Sequence, residues 1–360
     1  MRFGILTLDD FEVNNKIVLC RVDINQPVDK ETGRLKDITR IQAAVPTIQE
    51  LAAKSAKVVV LAHQGSDIEY KNFFTTQPHA LVLEELLGQK VEFIDDVTGP
   101  AARAKIQALK QGEILLLDNV RFLAEEQTLF ELKLRLTPAQ QAKTQLVQKL
   151  APLADLYVCD AFAAAHRDQP SLCGFQEVLP SAMGRLFEKE YSVLTRLLDE
   201  PARPCTFVLG GAKIADAFLM LETVLTNGSA DKVLTGGLVA NIILAGMGIN
   251  IGQGSMDFIF KSNYGEYIEK AKIIYEQYAD QIVLPIDLAF RQEGVRREEG
   301  WKNIPEGAAV TDIGTRAARE YADIILASKT VFVNGPMGVF EEPEAEVGTK
   351  VVWEALGSTA

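Results

Sequence analysis

Arginines, histidines and short polar side chains gather at a few places in this 360-residue sequence, each directly after a run of β-branched and apolar residues. Arg21, Asp23 and Asn25 end or follow the run 17–22, His63 follows 57–62, Asn119 and Arg121 follow 113–117, and Asp160, His166 and Arg167 follow 155–159. Arg40 opens an amphipathic stretch. A lone arginine or histidine in a loop is ordinarily a surface or structural partner. Several strand ends delivering arginines to one rim make an anion-binding surface instead, because the guanidinium fork matches the oxygens of carboxylate and phosphate.

The second half uses other residue types. Gly210-Gly211-Ala212-Lys213 follows the run 205–209, Gly236-Gly237 follows 231–234, and Asn334-Gly335-Pro336-Met337-Gly338 follows 330–333. Glycines let backbone amides come close to a phosphate or a flat ring, and a lysine just inside a helix start adds charge where the helix dipole already favours anions. Neither a Walker A motif nor the GxGxxG fingerprint is present, so a dinucleotide-dependent oxidoreductase, which alternating strands and helices would allow, lacks its signature.

The elements that must position these residues are legible as buried strands, with 91–94 and 281–285 added to the runs above. Between them lie helical stretches. In 39–54, Ile41, Ala44, Val45, Ile48 and Leu51 share one side, and in 138–150 Thr137 suits an N-cap with Pro138 at the first helical position. The alternation predicts an α/β fold, two Rossmann-like lobes with parallel sheets flanked by helices. A helical stretch over 179–200, closed by Pro201 and Pro204, reads as a connector. The expected organisation is an N-terminal lobe over 1–180, a hinge helix over 181–200 and a C-terminal lobe over 201–360.

Composition narrows the partners. With 48% hydrophobic and 24% charged residues the chain is long enough for two cores. A net charge of −12 opposes nucleic acid and anionic membranes, no apolar run has bilayer length, and the start has no signal-peptide pattern. A cytoplasmic location is expected. The four cysteines form no CxxC pair and read as reduced thiols.

Five stretches together resemble phosphoglycerate kinase: Arg21-Val22-Asp23-Ile24-Asn25-Gln26-Pro27, Asp118-Asn119-Val120-Arg121-Phe122, 160–167 from Asp160 through His166 and Arg167, Leu209-Gly210-Gly211-Ala212-Lys213, and 334–341 from Asn334 through Glu341. Ala62-His63-Gln64-Gly65 and Leu234-Thr235-Gly236-Gly237-Leu238 look like the archaeal branch. The resemblance implies a monomer that binds 3-phosphoglycerate or 1,3-bisphosphoglycerate in the N-terminal lobe through Asp23, Asn25, Arg40, His63, Arg121 and Arg167. It implies a C-terminal lobe binding ATP or ADP with Mg2+ through Gly210, Gly211, Lys213, Gly237, Asn334, Pro336, Gly338 and Glu341, with closure by hinge bending. The acceptor carboxylate is already a nucleophile, so catalysis reduces to alignment and charge neutralisation, for which Arg40 and Lys213 are the candidate cations.

The chain departs from the family pattern at its end, where a glycine-rich loop ending in an acidic residue is expected to follow Gly348-Thr349 and its helix. That leaves the metal ligand unassigned, and makes a catalytically impaired phosphoglycerate-binding relative, or a C-terminally truncated form, the alternative expectation. Ser66 and Ala217 stand where many family members carry an arginine and a lysine.

Overall fold

The computed structural model describes residues 4–29, 31–65 and 73–358, so Ser66 lies outside the described residues. The chain divides into two compact units, Met1–Val193 and Leu194–Ala360.

The first unit is built on six parallel strands, β1 (Ile17–Arg21), β2 (Lys57–Leu61), β3 (Val91–Ile94), β4 (Ile114–Leu117), β5 (Leu156–Cys159) and β6 (Ser181–Met183), in the order β3-β4-β2-β1-β5-β6. Successive side chains alternate between faces. Val18, Cys20, Val58, Val60, Ile114 and Leu116 enter one core with Ile41, Ala44, Ile48 and Leu51 of the helix Thr39–Ala53. Leu19, Val59, Leu61, Leu115 and Leu117 enter the other with Ile106, Leu146 and Val147. Burial on both faces is what a parallel sheet with helices above and below demands, and each such aliphatic side chain contributes about 1.5–3 kcal/mol.

Two helices differ from the sequence expectation. The stretch 138–150 is two helices, Pro138–Gln141 and Gln145–Leu150. Thr144 folds back to bond the carbonyl of Gln141 at 2.7 Å, and the Glu125 carboxylate accepts the N–H groups of Gln145 and Leu146, supplying a cap from elsewhere in the chain. The connector helix runs Arg185–Asp199, because Ser181–Met183 pairs along the open edge of β5 as β6. Asp160 then caps its start by accepting the N–H of Phe187 at 3.1 Å.

The second unit has four parallel strands, β7 (Cys205–Leu209), β8 (Lys232–Thr235), β9 (Ile282–Val283) and β13 (Thr330–Asn334), ordered β13-β7-β8-β9. Between β9 and β13 the chain forms an antiparallel sheet, β11-β10-β12, from β10 (Asp287–Gln292), β11 (Val295–Gly300) and β12 (Val310–Ile313). The expectation of parallel sheets missed it. Its hairpin turns on Glu293 and Gly294, both at positive φ. Phe207 and Leu209 pack against Ile214, Phe218 and Leu221 of the helix Ile214–Thr226, while Val208 and Leu234 pack against Ala317, Tyr321 and Val352. Ala217 lies in the first of these cores, facing Ile214 and Phe218 rather than solvent.

Candidate functional site

Four adjacent strands, β4, β2, β1 and β5, release their C-terminal loops along one rim of the first sheet. A basin of about 260 Å³ opens there, lined by Asp23, Asn25, Arg40, His63, Gly65, Arg121, Ala163, Ala164, His166 and Arg167. All six residues expected to bind the acid are among them.

The loops hold one another in shape. Asn25 accepts the N–H of Gly65 at 3.0 Å, and Arg121 donates to the Gly65 carbonyl. Asn119, fully buried, accepts the N–H groups of Gln64 and Arg121 and donates to the carbonyls of Gln64 and Phe74. It is a staple for two rim loops rather than a rim residue. Arg40 is half exposed and donates to Asp23 at 3.0 Å, while Arg167 donates to Thr128 at 3.1 Å. Burial, reinforced by the guanidiniums of Arg21, Arg121, Arg167 and Arg40, holds His63 well below the usual histidine range, so the ring is neutral at pH 7. Three guanidiniums, a neutral imidazole and an amide around one small basin suit an acid bearing carboxylate and phosphate oxygens. Arg21 does not join them. It is fully buried beneath the rim, contrary to the sequence expectation that it helps form it.

The second unit has a larger cleft of about 710 Å³ at the ends of β7, β8 and β13. Gly210, Gly211, Lys213, Gly237, Asn334, Pro336, Gly338 and Glu341 all line it. The three glycine loops interlock: Gly210 donates to the Asn334 carbonyl at 2.8 Å, Gly211 to Pro336 at 2.7 Å and Gly237 to Met337 at 2.7 Å. These amides are therefore bound to other loops, and the glycines serve close approach. A Cβ on Gly210 would sit 2.2 Å from the Pro336 oxygen, and one on Gly237, already at φ +52°, would sit 2.9 Å from the Gly211 nitrogen. Lys213 stands exposed immediately before the helix Ile214–Thr226.

Sequence reasoning missed a further part of the cleft wall, which includes Phe258, Leu288, Val310 and Asp312. Asp312 is a buried brace. It accepts from Arg296 at 3.0 Å and from the Gly348 N–H at 2.8 Å, and its oxygen lies 2.5 Å from where a Cβ on Gly338 would be. Burial raises its pKa, opposed by the Gly348 N–H and by Arg296. The hairpin turn Glu293-Gly294 was the one local signal for the sheet that carries part of this wall.

The profile described as "Phosphoglycerate kinase" matches residues 8–360. A phosphoglycerate kinase of Methanobacterium bryantii is 47% identical over 359 residues, covering 100% of this chain and 86% of the relative. The crystal structure of phosphoglycerate kinase from Pyrococcus horikoshii OT3 matches with TM-score 0.84 at 40% identity, over 98% of this chain and 86% of that one. The structure of phosphoglycerate kinase from Coxiella burnetii matches with TM-score 0.81 at 27% identity, over 99% and 86%. Motifs, fold and overall similarity thus agree that this chain belongs to the phosphoglycerate kinase family, in its archaeal form, and is by that membership a phosphotransferase of glycolysis.

Proposed function

We propose that the chain reversibly converts 1,3-bisphosphoglycerate and ADP into 3-phosphoglycerate and ATP, with the acid in the basin of the first unit and the nucleotide in the cleft of the second. The supporting observation is that each unit gathers the residues expected of it: Asp23, Asn25, Arg40, His63, Arg121 and Arg167 around the basin, and the three glycine loops with Lys213 and Glu341 around the cleft. Since both sets are assembled, neither favours the impaired alternative.

The attacking group is a carboxylate that needs no base, so the work lies in orienting two anions and spreading the charge of the transferring phosphoryl group. Arg40 and Lys213 are the proposed cations for that step. The organisation proposed with it is the acid-binding lobe over 1–180, the hinge over 181–200 and the nucleotide-binding lobe over 201–360, with hinge bending to exclude water. Magnesium enters as part of the nucleotide substrate, held chiefly by phosphate oxygens. Among the described residues no group of three His, Cys, Asp or Glu is gathered that could hold a metal, and its protein ligand is left unassigned. The reading includes a monomer working in the cytoplasm.

A coupled turnover assay with 3-phosphoglycerate, ATP and magnesium tests it. Lys213→Ala and Arg40→Ala are each expected to lower kcat by about 100- to 1000-fold at matched folded concentration. A folded chain that binds 3-phosphoglycerate yet turns nothing over would overturn the proposal.

A further inference from the structure

Arg21, the last residue of β1, is one of the largest fully buried side chains of the protein and does not line the basin. Its head still reaches a basin residue: Nη2 lies 3.1 Å from Nδ1 of His63. Its other bonds lead inward. Nη1 donates to the Val22 carbonyl at 2.6 Å, and Nε donates to Ser171 Oγ at 2.8 Å. Ser171 in turn donates its hydroxyl to Glu126 Oε2 at 2.7 Å and its backbone N–H to Oε1 at 2.6 Å. Ser171 and Glu126 are fully buried. Tyr157 donates to the Ser171 carbonyl at 2.6 Å while its ring stacks on Phe175, fixing the segment that carries the serine.

A guanidinium only donates, and a neutral imidazole has one donor and one acceptor nitrogen. Nδ1 of His63 must therefore accept from Arg21, and the ring proton resides on Nε2. We propose that Glu126, Ser171 and Arg21 form a buried positioning chain that holds His63 as its Nε2–H tautomer, so that the basin offers an anionic oxygen a fixed, neutral N–H donor. The consequence for catalysis rests on the assignment of the basin to 3-phosphoglycerate.

Burying an arginine and a glutamate is costly unless each is compensated, and such groups are retained where they specify an arrangement that apolar side chains would leave free. Here the arrangement is a ring orientation. Burial raises the Glu126 pKa while the Arg21 charge and the Ser171 bonds oppose it, so the two ends of the chain support each other. Among the described residues, the charged and titratable groups around His63 are Arg21 and Asp23 from the end of β1, Arg40 from the helix start, Arg121 from the loop after β4, and His166 and Arg167 from the loop after β5. Asp23, the acid among them, is engaged by Arg40. Burial, reinforced by the cations, keeps the ring unprotonated, and Arg21 selects which nitrogen carries the remaining proton.

The test is long-range 1H–15N NMR of the full chain labelled at histidine, which has only His63, His79 and His166 to assign. Wild-type His63 is expected to stay neutral with its proton on Nε2 through about pH 5.5–8. In Arg21→Met the ring is expected to lose its single tautomer, while burial and the remaining arginines keep it neutral. Its 3-phosphoglycerate affinity should fall about tenfold, because the basin loses its fixed N–H donor. An Nδ1–H tautomer in the wild type, or an Arg21→Met spectrum identical to it, would overturn the proposal. Should Arg21→Met not fold, Ser171→Ala removes a single oxygen, with the same displacement of the ring signals and a three- to fivefold loss of affinity expected, roughly one weakened hydrogen bond. Unchanged signals in Ser171→Ala would overturn the anchoring role of Ser171 and Glu126. If 3-phosphoglycerate leaves the wild-type His63 signals unmoved, the assignment of the basin fails while the tautomer result stands.

Discussion

Arg121 in the first unit reaches its basin from a loop whose shape depends on the four hydrogen bonds of buried Asn119, whereas Gly210 in the second unit reaches its cleft because the Pro336 oxygen occupies the place of a side chain. One region recognises by side-chain charge and needs a polar scaffold behind it. The other works by backbone proximity and needs the absence of Cβ atoms. The difference predicts unlike responses to mutation: a basin residue can be trimmed one contact at a time, while a cleft glycine fails as a unit with its partner loops.

The largest effect expected from this contrast is at Gly210. An added methyl 2.2 Å from a backbone oxygen cannot be relieved by a rotamer change, so the β7 and β13 loops must separate. Gly210→Ala is expected to weaken ATP binding by about a hundredfold or more while leaving 3-phosphoglycerate binding at its wild-type value. Calorimetric titration of each ligand separately measures this. Equal losses for both ligands would break the contrast, since they would make the defect global.

How far these regions could be read from the sequence follows the same division. Strand ends located His63, Arg121 and Arg167 because parallel strands present their C-terminal loops together, a helix start located Arg40, and Gly210, Gly237 and Gly338 were found by the strand-end rule. Arg21 was misplaced at the rim because burying it depends on Ser171 and Glu126, more than a hundred residues away, and no local pattern reports such a partner. The polar run of β11 hid the antiparallel sheet, since its alternation of exposed and half-buried residues resembles a loop. Likewise, the split of 138–150 depends on Glu125, which sequence spacing does not associate with Gln145.

A smaller effect separates two buried carboxylates, Asp160 in the first unit and Asp312 in the second. Burial raises Asp160 from 3.8 to about 6, opposed by backbone N–H groups at the start of the helix Arg185–Asp199 and by Thr47. The folded chain therefore holds this proton more tightly than the unfolded chain. The stabilisation is complete below about pH 4 and is lost as the pH rises through about 6. Asp160→Asn keeps an oxygen for Phe187 and removes the charge, so at pH 7.5 it is expected to stabilise the protein by roughly 1–2 kcal/mol and to flatten the stability profile between about pH 4 and 6. Asp312→Asn should go the other way by about 2 kcal/mol, because Arg296 loses the buried one of its two carboxylate partners and keeps only Glu298. Denaturant melts across this pH range decide, and a loss of stability in both variants at pH 7.5 would show that the Asp160 charge is compensated in the fold.

The smallest effect concerns salt. Arg40 is half exposed, with 52% of its side chain accessible, so part of the attraction the basin exerts on a phosphorylated acid acts through water. The Debye length falls from about 10 Å at 0.1 M to about 3 Å at 1 M salt, and that part is screened. Affinity for 3-phosphoglycerate is expected to drop about three- to fivefold over this range. Adenosine provides the control because it has no phosphate, and the cleft walls that include Phe258, Leu288 and Val310 are apolar. Its affinity should change less than about twofold, since apolar burial is not weakened by screening. ATP, which carries both kinds of group, should fall between them. If adenosine weakened as steeply as the acid, the cleft would recognise by charge after all, and the contrast between the two regions would reduce to their size.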